Sequence, residues 1–108
     1  MANMTVETKH ETYHDCYLIV DSYLADSSLV LEIWNDEYGP IARITTCLHR
    51  LTVHEDEAFV DTNNCPWAED FIREYQLGEF TGRNDESGFC TYPLYKFDIR
   101  KIREYSRK

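Results

Sequence analysis

Residues 29–48 read LVLEIWNDEYGPIARITTCL, and their alternation decides the fold class. Leu29, Leu31 and Ile33 fall on one side of an extended chain and Glu32 on the other, the period of two that marks a strand with one buried face. Residues 35–40 collect turn formers and end in Gly39-Pro40. The alternation then resumes, with Ala42, Ile44, Thr46 and Leu48 facing one way and Arg43, Thr45 and Cys47 the other, so 41–48 reads as one strand. Upstream, YHDCYLIVDSYL (13–24) places Tyr17 and Ile19 on one face and Cys16, Leu18 and Val20 on the other. The turn signal ADSS (25–28), around Asp26, Ser27 and Ser28, joins it to the next strand. Three strands linked by short turns predict an antiparallel meander. Residues 1–10 are polar and read as a loose segment ahead of a single domain over 11–108.

Downstream the period changes. HRLTVHEDE (49–57) reads as an irregular loop with the acidic run Glu55, Asp56 and Glu57, and AFVDT (58–62) as a short strand. In NNCPW, Pro66 suits a first helical turn and Asn64 is a candidate cap. The helix is expected from about Cys65 to Tyr75, with Ala68, Phe71, Ile72 and Tyr75 as its apolar stripe and Trp67 beside it. Glu69 and Arg73 have the spacing of an i,i+4 ion pair, and Gly78 reads as the stop. TGRNDESG (81–88) reads as a polar turn. FCTYPLYKF (89–97) has strand character, and Pro93 makes it an edge strand or two extended pieces. DIRKIREY (98–105) predicts a helical turn or two, with Ile99 and Ile102 inward. The expected fold is α+β: a small antiparallel sheet of four to five strands packed against one main helix, with a short C-terminal helical end.

Composition bounds the function. A chain of 108 residues, 43% hydrophobic, supports one folded core. Eight tyrosines can complete that core or furnish a binding surface. The net charge of -9 opposes general binding of a phosphate backbone. It is unevenly spread: residues 1–94 hold 18 acids and 5 bases, whereas YKFDIRKIREYSRK (95–108) holds 6 bases and 2 acids. That basic end either folds back on the acidic body or meets an acidic ligand. MANMTVETKHETYH has no apolar leader stretch and no run reaches membrane-spanning length, so a cytoplasmic protein with reduced thiols is expected. Cys16, Cys47, Cys65 and Cys90 contain no CxxC pair, and with His14, His49 or His54 they match no standard zinc spacing.

Four clusters invite a chemical reading. Cys65 lies near the expected helix start, where the dipole lowers a thiol pKa, but no base stands at a telling spacing. Asp61, Asn63 and Asn64 are then turn and cap residues. Residues 82–88 lack the phosphate-loop pattern and offer Arg83 for partner contact. His10, His14, His49 and His54 form no HExxH, and the 55–57 run lacks the ligand alternation of a calcium loop. Phe89, Tyr92, Tyr95 and Phe97, interleaved with Lys96 and Arg100, fit a packed sheet face better than a base-stacking platform. The candidate partner-binding residues are Glu55, Asp56, Glu57, Arg83, Asp85, Glu86, Tyr92 and Tyr95, and no catalytic, cofactor or metal residue is assigned.

The segments AFVDTNNCPWAEDFI (58–72) and LGEFTGRNDESGFCTYPLYKFD (77–98) resemble the family called domain of unknown function 4313, found in bacteria and their mobile elements. WNDEYGPIARITTCL (34–48) resembles it more loosely, and the likeness covers roughly residues 29–98. GRNDESG departs from the basic, glycine-rich form associated with the family. The resemblance implies a small α+β domain without known enzyme activity, in an accessory or host-countering role akin to inhibitors of CRISPR effectors. The leading expectation is a non-enzymatic acidic protein-binding module whose carboxylates stand in for phosphates in a partner's basic groove. Two alternatives stay open: a small cysteine-dependent or metal-assisted hydrolase, and a nucleic-acid-binding accessory protein using the basic tail.

Overall fold

Alternating apolar side chains build two sheets rather than one. In the computed structural model, which describes residues 3–22, 28–48 and 53–107, the first sheet contains β1 (Met4–Glu7), β2 (Thr12–Ser22), β3 (Leu29–Asn35) and β4 (Gly39–Arg43) in the order β1-β2-β3-β4. The second contains β5 (Thr45–Thr46), β6 (Glu57–Val60), β7 (Gly78–Ser87) and β8 (Cys90–Phe97) in the order β5-β6-β8-β7. The pairings between these strands are all antiparallel. Two short helices, α1 (Ala68–Glu74) and α2 (Ile99–Tyr105), complete an α+β fold in which neither helix dominates. Leu29, Leu31 and Ile33 enter the main core as their alternation requires, together with Cys16 and Leu18 from β2. The expected turn at 25–28 lies, except for Ser28, outside the described residues.

The strand expected over 41–48 breaks at Ile44. Ile44 donates its N–H to the Leu31 carbonyl at 3.0 Å and accepts from Asp61 N at 2.8 Å. The buried Thr45 hydroxyl accepts the Leu31 N–H at 3.1 Å. One strand thus leaves the first sheet and the next begins the second. The supposedly loose N-terminus is also structured: Met4 and Val6 are buried and pair across to β2. A four-residue strand gives too short an alternation to stand out among the polar residues around it.

The helix begins later than Pro66 suggests. Asp61 accepts the backbone N–H of Asn64 at 3.2 Å and its side-chain amide at 2.9 Å, closing a local turn. Asn64 is therefore spent in that turn, and Trp67 takes the N-cap position without a side-chain capping bond. Ala68, Phe71 and Ile72 bury the expected stripe. Arg73 pairs with Asp70 at 2.9 Å rather than with Glu69. The helix ends before Gly78: Gln76 adopts φ 55°, with Gln76 N bonded to Arg73 O at 3.2 Å and Leu77 N to Ile72 O at 3.0 Å. These are the paired bonds of a Schellman stop, with Gln76 in the left-handed position that glycine favours. Gly78 is needed for close approach instead, since a Cβ there would meet the Lys96 carbonyl at 2.6 Å.

Residues 81–88 are mostly strand. β7 reaches Ser87 and pairs with β8 out to Ser87↔Cys90, with a bulge between Phe80 and Asn84 and Gly82 at φ 90°. β8 is interior, not an edge. Pro93 is accommodated because β6 pairs only with residues 94–96, and because Pro93 lies beside the bulge. Asp98 caps α2 by accepting from Arg100 N and Lys101 N. Past α2, Arg107 N bonds to Leu18 O at 2.9 Å, its guanidinium lies 3.6 Å from the Tyr17 ring centroid, and it pairs with Asp36. Part of the basic tail therefore folds back on the acidic body.

Two measurements test this construction. Thr45→Val should lower the free energy of urea unfolding by about 1–3 kcal/mol by stranding the Leu31 N–H, while Thr46→Val should cost less than about 0.5 kcal/mol. Gln76→Gly should raise stability by about 0.5–1 kcal/mol by relieving the left-handed residue, whereas Gly78→Ala should lower it.

Candidate partner-binding site

The outer face of the second sheet is built by side-chain parity. Ala58, Val60, Tyr95 and Phe97 point to the main core, so Phe59 and Leu94, paired across β6 and β8, point away from it. With Leu48 they form a second apolar cluster, against which Val53 and Tyr92 pack. β7 extends this face. Thr81 donates its hydroxyl to Leu94 O at 2.9 Å and accepts Arg83 N at 3.2 Å. That bond turns Arg83 inward, so its guanidinium stands 5.7 Å from the Phe59 ring centroid and bonds Asp85 at 2.5 Å.

Two adjoining clefts open here. One, of about 280 Å³, is lined by Val53, His54, Glu57, Thr81, Arg83 and Leu94. The other, of about 600 Å³, is lined by Val53, His54, Glu55, Asp56, Glu57 and Lys96. Glu57 also accepts the His54 N–H at 2.9 Å, which closes the 54–57 turn and fixes the acidic run at the rim. Glu55, Asp56, Glu57, Arg83 and Asp85 are thus gathered, with Tyr92 beneath them. Glu86, next to Asp85 on β7 and opposite Thr91, is exposed but falls on the other face of the strand by the same parity, so it does not join them.

Tyr95 does not belong to this face. It is buried on the core side and its hydroxyl donates to Glu69 Oε2 at 2.5 Å. Burial first, then that bond, raises its pKa beyond the ordinary phenol range. Lys96, read from the sequence only as a cation among the aromatics and not as a partner-binding candidate, faces Glu79 across the β7–β8 pair and lines the larger cleft. Sequence reasoning also set Phe89 among core aromatics, whereas the side chain stands fully exposed at the β7–β8 hairpin tip. There the polar ribbon leaves it no surface to pack on.

Burial works against ionisation at two of the thiols. Of the four cysteines, Cys16 and Cys65 are buried and Cys47 and Cys90 half-buried. Cys65 lies three residues ahead of α1, so the expected lowering by a helix start is reversed: burial, and then Asp61, push its pKa up to about 11. Cys16 is likewise raised to about 11 by burial and by Asp15. Among the described residues no three His, Cys, Asp or Glu side chains are grouped to hold a metal, and His49 lies outside those residues. No helix there is long and apolar enough to cross a membrane. The arrangement can present carboxylates, two cations and an apolar floor to a partner.

The raised thiols generate a pH dependence with a definite sign. Below pH 9 both thiols are neutral in the folded and unfolded chain. Between pH 9 and about 11 the unfolded chain ionises first, so stability falls across that window. Urea midpoints measured from pH 8 to pH 11 should decline, and the decline should be smaller in Cys65→Ala than in the parent.

No curated protein and no solved structure matches the chain. The family model for a domain of unknown function (DUF4313) matches residues 17–108, extending the likeness read at 29–98 back into β2 and forward through α2, and the chain belongs to that family.

Proposed function

We propose that this protein is a non-enzymatic acidic module that binds the basic surface of another protein. The observation carrying the reading is the outer face of the second sheet, where Glu55, Asp56 and Glu57 rim an apolar floor of Val53 and Leu94 and Asp85 pairs with Arg83 beside them. Carboxylates around an apolar patch suit a partner whose own cations are interleaved with apolar side chains. Arg83 and Lys96 in the same face fix the register of such a partner more than they oppose it. The partner class that fits best is a nucleic-acid-binding protein with an empty basic groove, and a mobile-element inhibitor of a host defence protein such as a CRISPR effector is the role we infer. Exposed carboxylates there take the place of phosphates.

The basic tail supports the nucleic-acid reading less than its formal charge suggests, because Arg107 pairs with Asp36 and Lys101 with Glu104. The hydrolase reading would need an ionised thiol beside a base, and burial works against ionisation at Cys65.

The test is titration of the intact protein against a panel of purified CRISPR effectors and other host nucleic-acid-binding proteins. Binding should weaken steeply as ionic strength rises and should be lost when the groove is filled with nucleic acid. Replacing Glu55 by Gln and Asp56 by Asn together should weaken it by about threefold to tenfold. Binding indifferent to salt and to bound nucleic acid would overturn the reading.

A further inference from the structure

A further cleft, on a different part of the molecule, gives the acidic reading a definite ligand group. It measures about 340 Å³ and lies between β1 and α1, lined by Thr5, Glu7, Trp67, Asp70, Phe71 and Glu74. Its walls are set by the edge of β1. The Tyr75 hydroxyl accepts Thr5 N at 2.7 Å and donates to Thr5 O at 3.1 Å, so the end of α1 is fastened to that strand. Trp67, Phe71 and Tyr75 recur every four residues, which stacks them along one side of the helix. The Trp67 and Phe71 centroids stand 6.0 Å apart and those of Phe71 and Tyr75 5.2 Å apart. The ladder meets β1 at Tyr75, and the cleft opens beside its other two rungs.

The rim is one-signed. Glu7 comes from the strand, Asp70 and Glu74 from the helix, and no lining residue is basic. Asp70 and Glu74 stand four apart on α1, a like-charge spacing that costs a helix stability. Arg73 answers only Asp70, through a pair in which both side chains are mostly exposed. A cation bringing its own flat apolar face would relieve the rim and cover the floor together. Guanidinium has that form: it is planar, weakly hydrated and able to lie on an aromatic ring while bonding carboxylates. The protein uses this arrangement internally, where Arg107 lies 3.6 Å from the Tyr17 ring centroid and pairs with Asp36.

We propose that the β1–α1 cleft receives an arginine side chain of a basic partner, with its guanidinium against Trp67 and its charge met by Glu7 and Glu74. The inference rests on the acidic-module reading and names the chemistry of one contact within it. It involves no covalent step.

Hexa-arginine peptide, titrated into the intact protein and followed by nitrogen–proton correlation spectra, tests it. The two tryptophans give separate indole signals, so Trp67 reports on the cleft and Trp34 serves as an internal reference. The Trp67 indole signal should move on titration and that of Trp34 should stay. Glu7→Gln with Glu74→Gln, both at exposed positions, should weaken binding by about fivefold. The same charge change made by Glu79→Gln with Glu86→Gln, also exposed, should weaken it by less than about twofold. Equal losses in the two double variants would overturn the cleft while leaving a generally acidic binder standing. Failure of hexa-arginine to move Trp67, with salt-sensitive binding to a panel protein retained, would also overturn the cleft alone. Failure of both assays would overturn the acidic-module reading itself.

Discussion

The backbone of Leu31 depends on two residues that belong to no strand of its own sheet. The last β3–β4 pair at that end is Glu32↔Arg43, so Leu31 would otherwise keep a buried N–H and C=O without partners. Ile44 N and the Thr45 hydroxyl supply both. An unpaired buried backbone group costs about as much as a lost hydrogen bond, so the chain is held to this crossing. Much follows from it. Ile44 O receives Asp61 N, which places the end of β6. The Asp61 carbonyl then receives Cys65 N, and the Cys65 carbonyl receives Ala68 N, leading directly into α1. The Cys65 thiol donates back to Arg43 O at 3.6 Å. A short relay of local bonds therefore carries the geometry of the first sheet into the second and on to the helix.

What could be read from the sequence depended on whether a signal was local. The β3 alternation was legible because one of its faces is buried throughout. The break at Ile44 was not, because Ala42, Ile44 and Thr46 keep the same parity through it. A change of sheet leaves no mark on a period of two. β7 hid for the opposite reason: its burial pattern is exposed along nearly its whole length, so no apolar alternation announces a strand. Its glycines read as a turn, yet Gly82 serves a bulge and only Gly88 lies at the hairpin end. Pro66 was a sound helix signal displaced by Asp61, whose side chain offered the backbone a competing turn.

The candidate site was legible to the same degree. Glu55, Asp56 and Glu57 are neighbours in sequence, so their grouping needed no fold. Their meeting with Arg83 and Lys96 requires the strand order β6-β8-β7, which no local pattern supplies. Tyr92 and Tyr95 show how sharply parity decides. Three residues apart on one strand, they point to opposite faces, and one supports the outer surface while the other bonds Glu69 inside. The β1–α1 cleft was beyond sequence reasoning, since Glu7 and Glu74 approach only after Tyr75 has fixed β1 to the helix.

The excess of carboxylates is hard to explain as part of the fold. The ion pairs Arg73–Asp70 and Lys101–Glu104 link side chains three residues apart on the surface of single helices, a class worth little to stability. Arg107–Asp36 does tie the tail to the β3–β4 turn, but it uses one of 20 acids. Others are engaged by the fold, as Glu32 with Arg43, Asp85 with Arg83, Asp61 in its turn and Asp98 at the α2 cap, and those left over repel one another unless something basic meets them. Solubility alone would be served by charges scattered over the surface. Here carboxylates instead rim clefts with apolar or aromatic floors on both the second sheet and α1. Mutual repulsion at such rims is relieved only when a cation arrives, and an occupant of the β1–α1 cleft would also touch both elements that Tyr75 joins. Binding there would stabilise the N-terminal strand by mass action, coupling this edge strand of the first sheet to the presence of the partner.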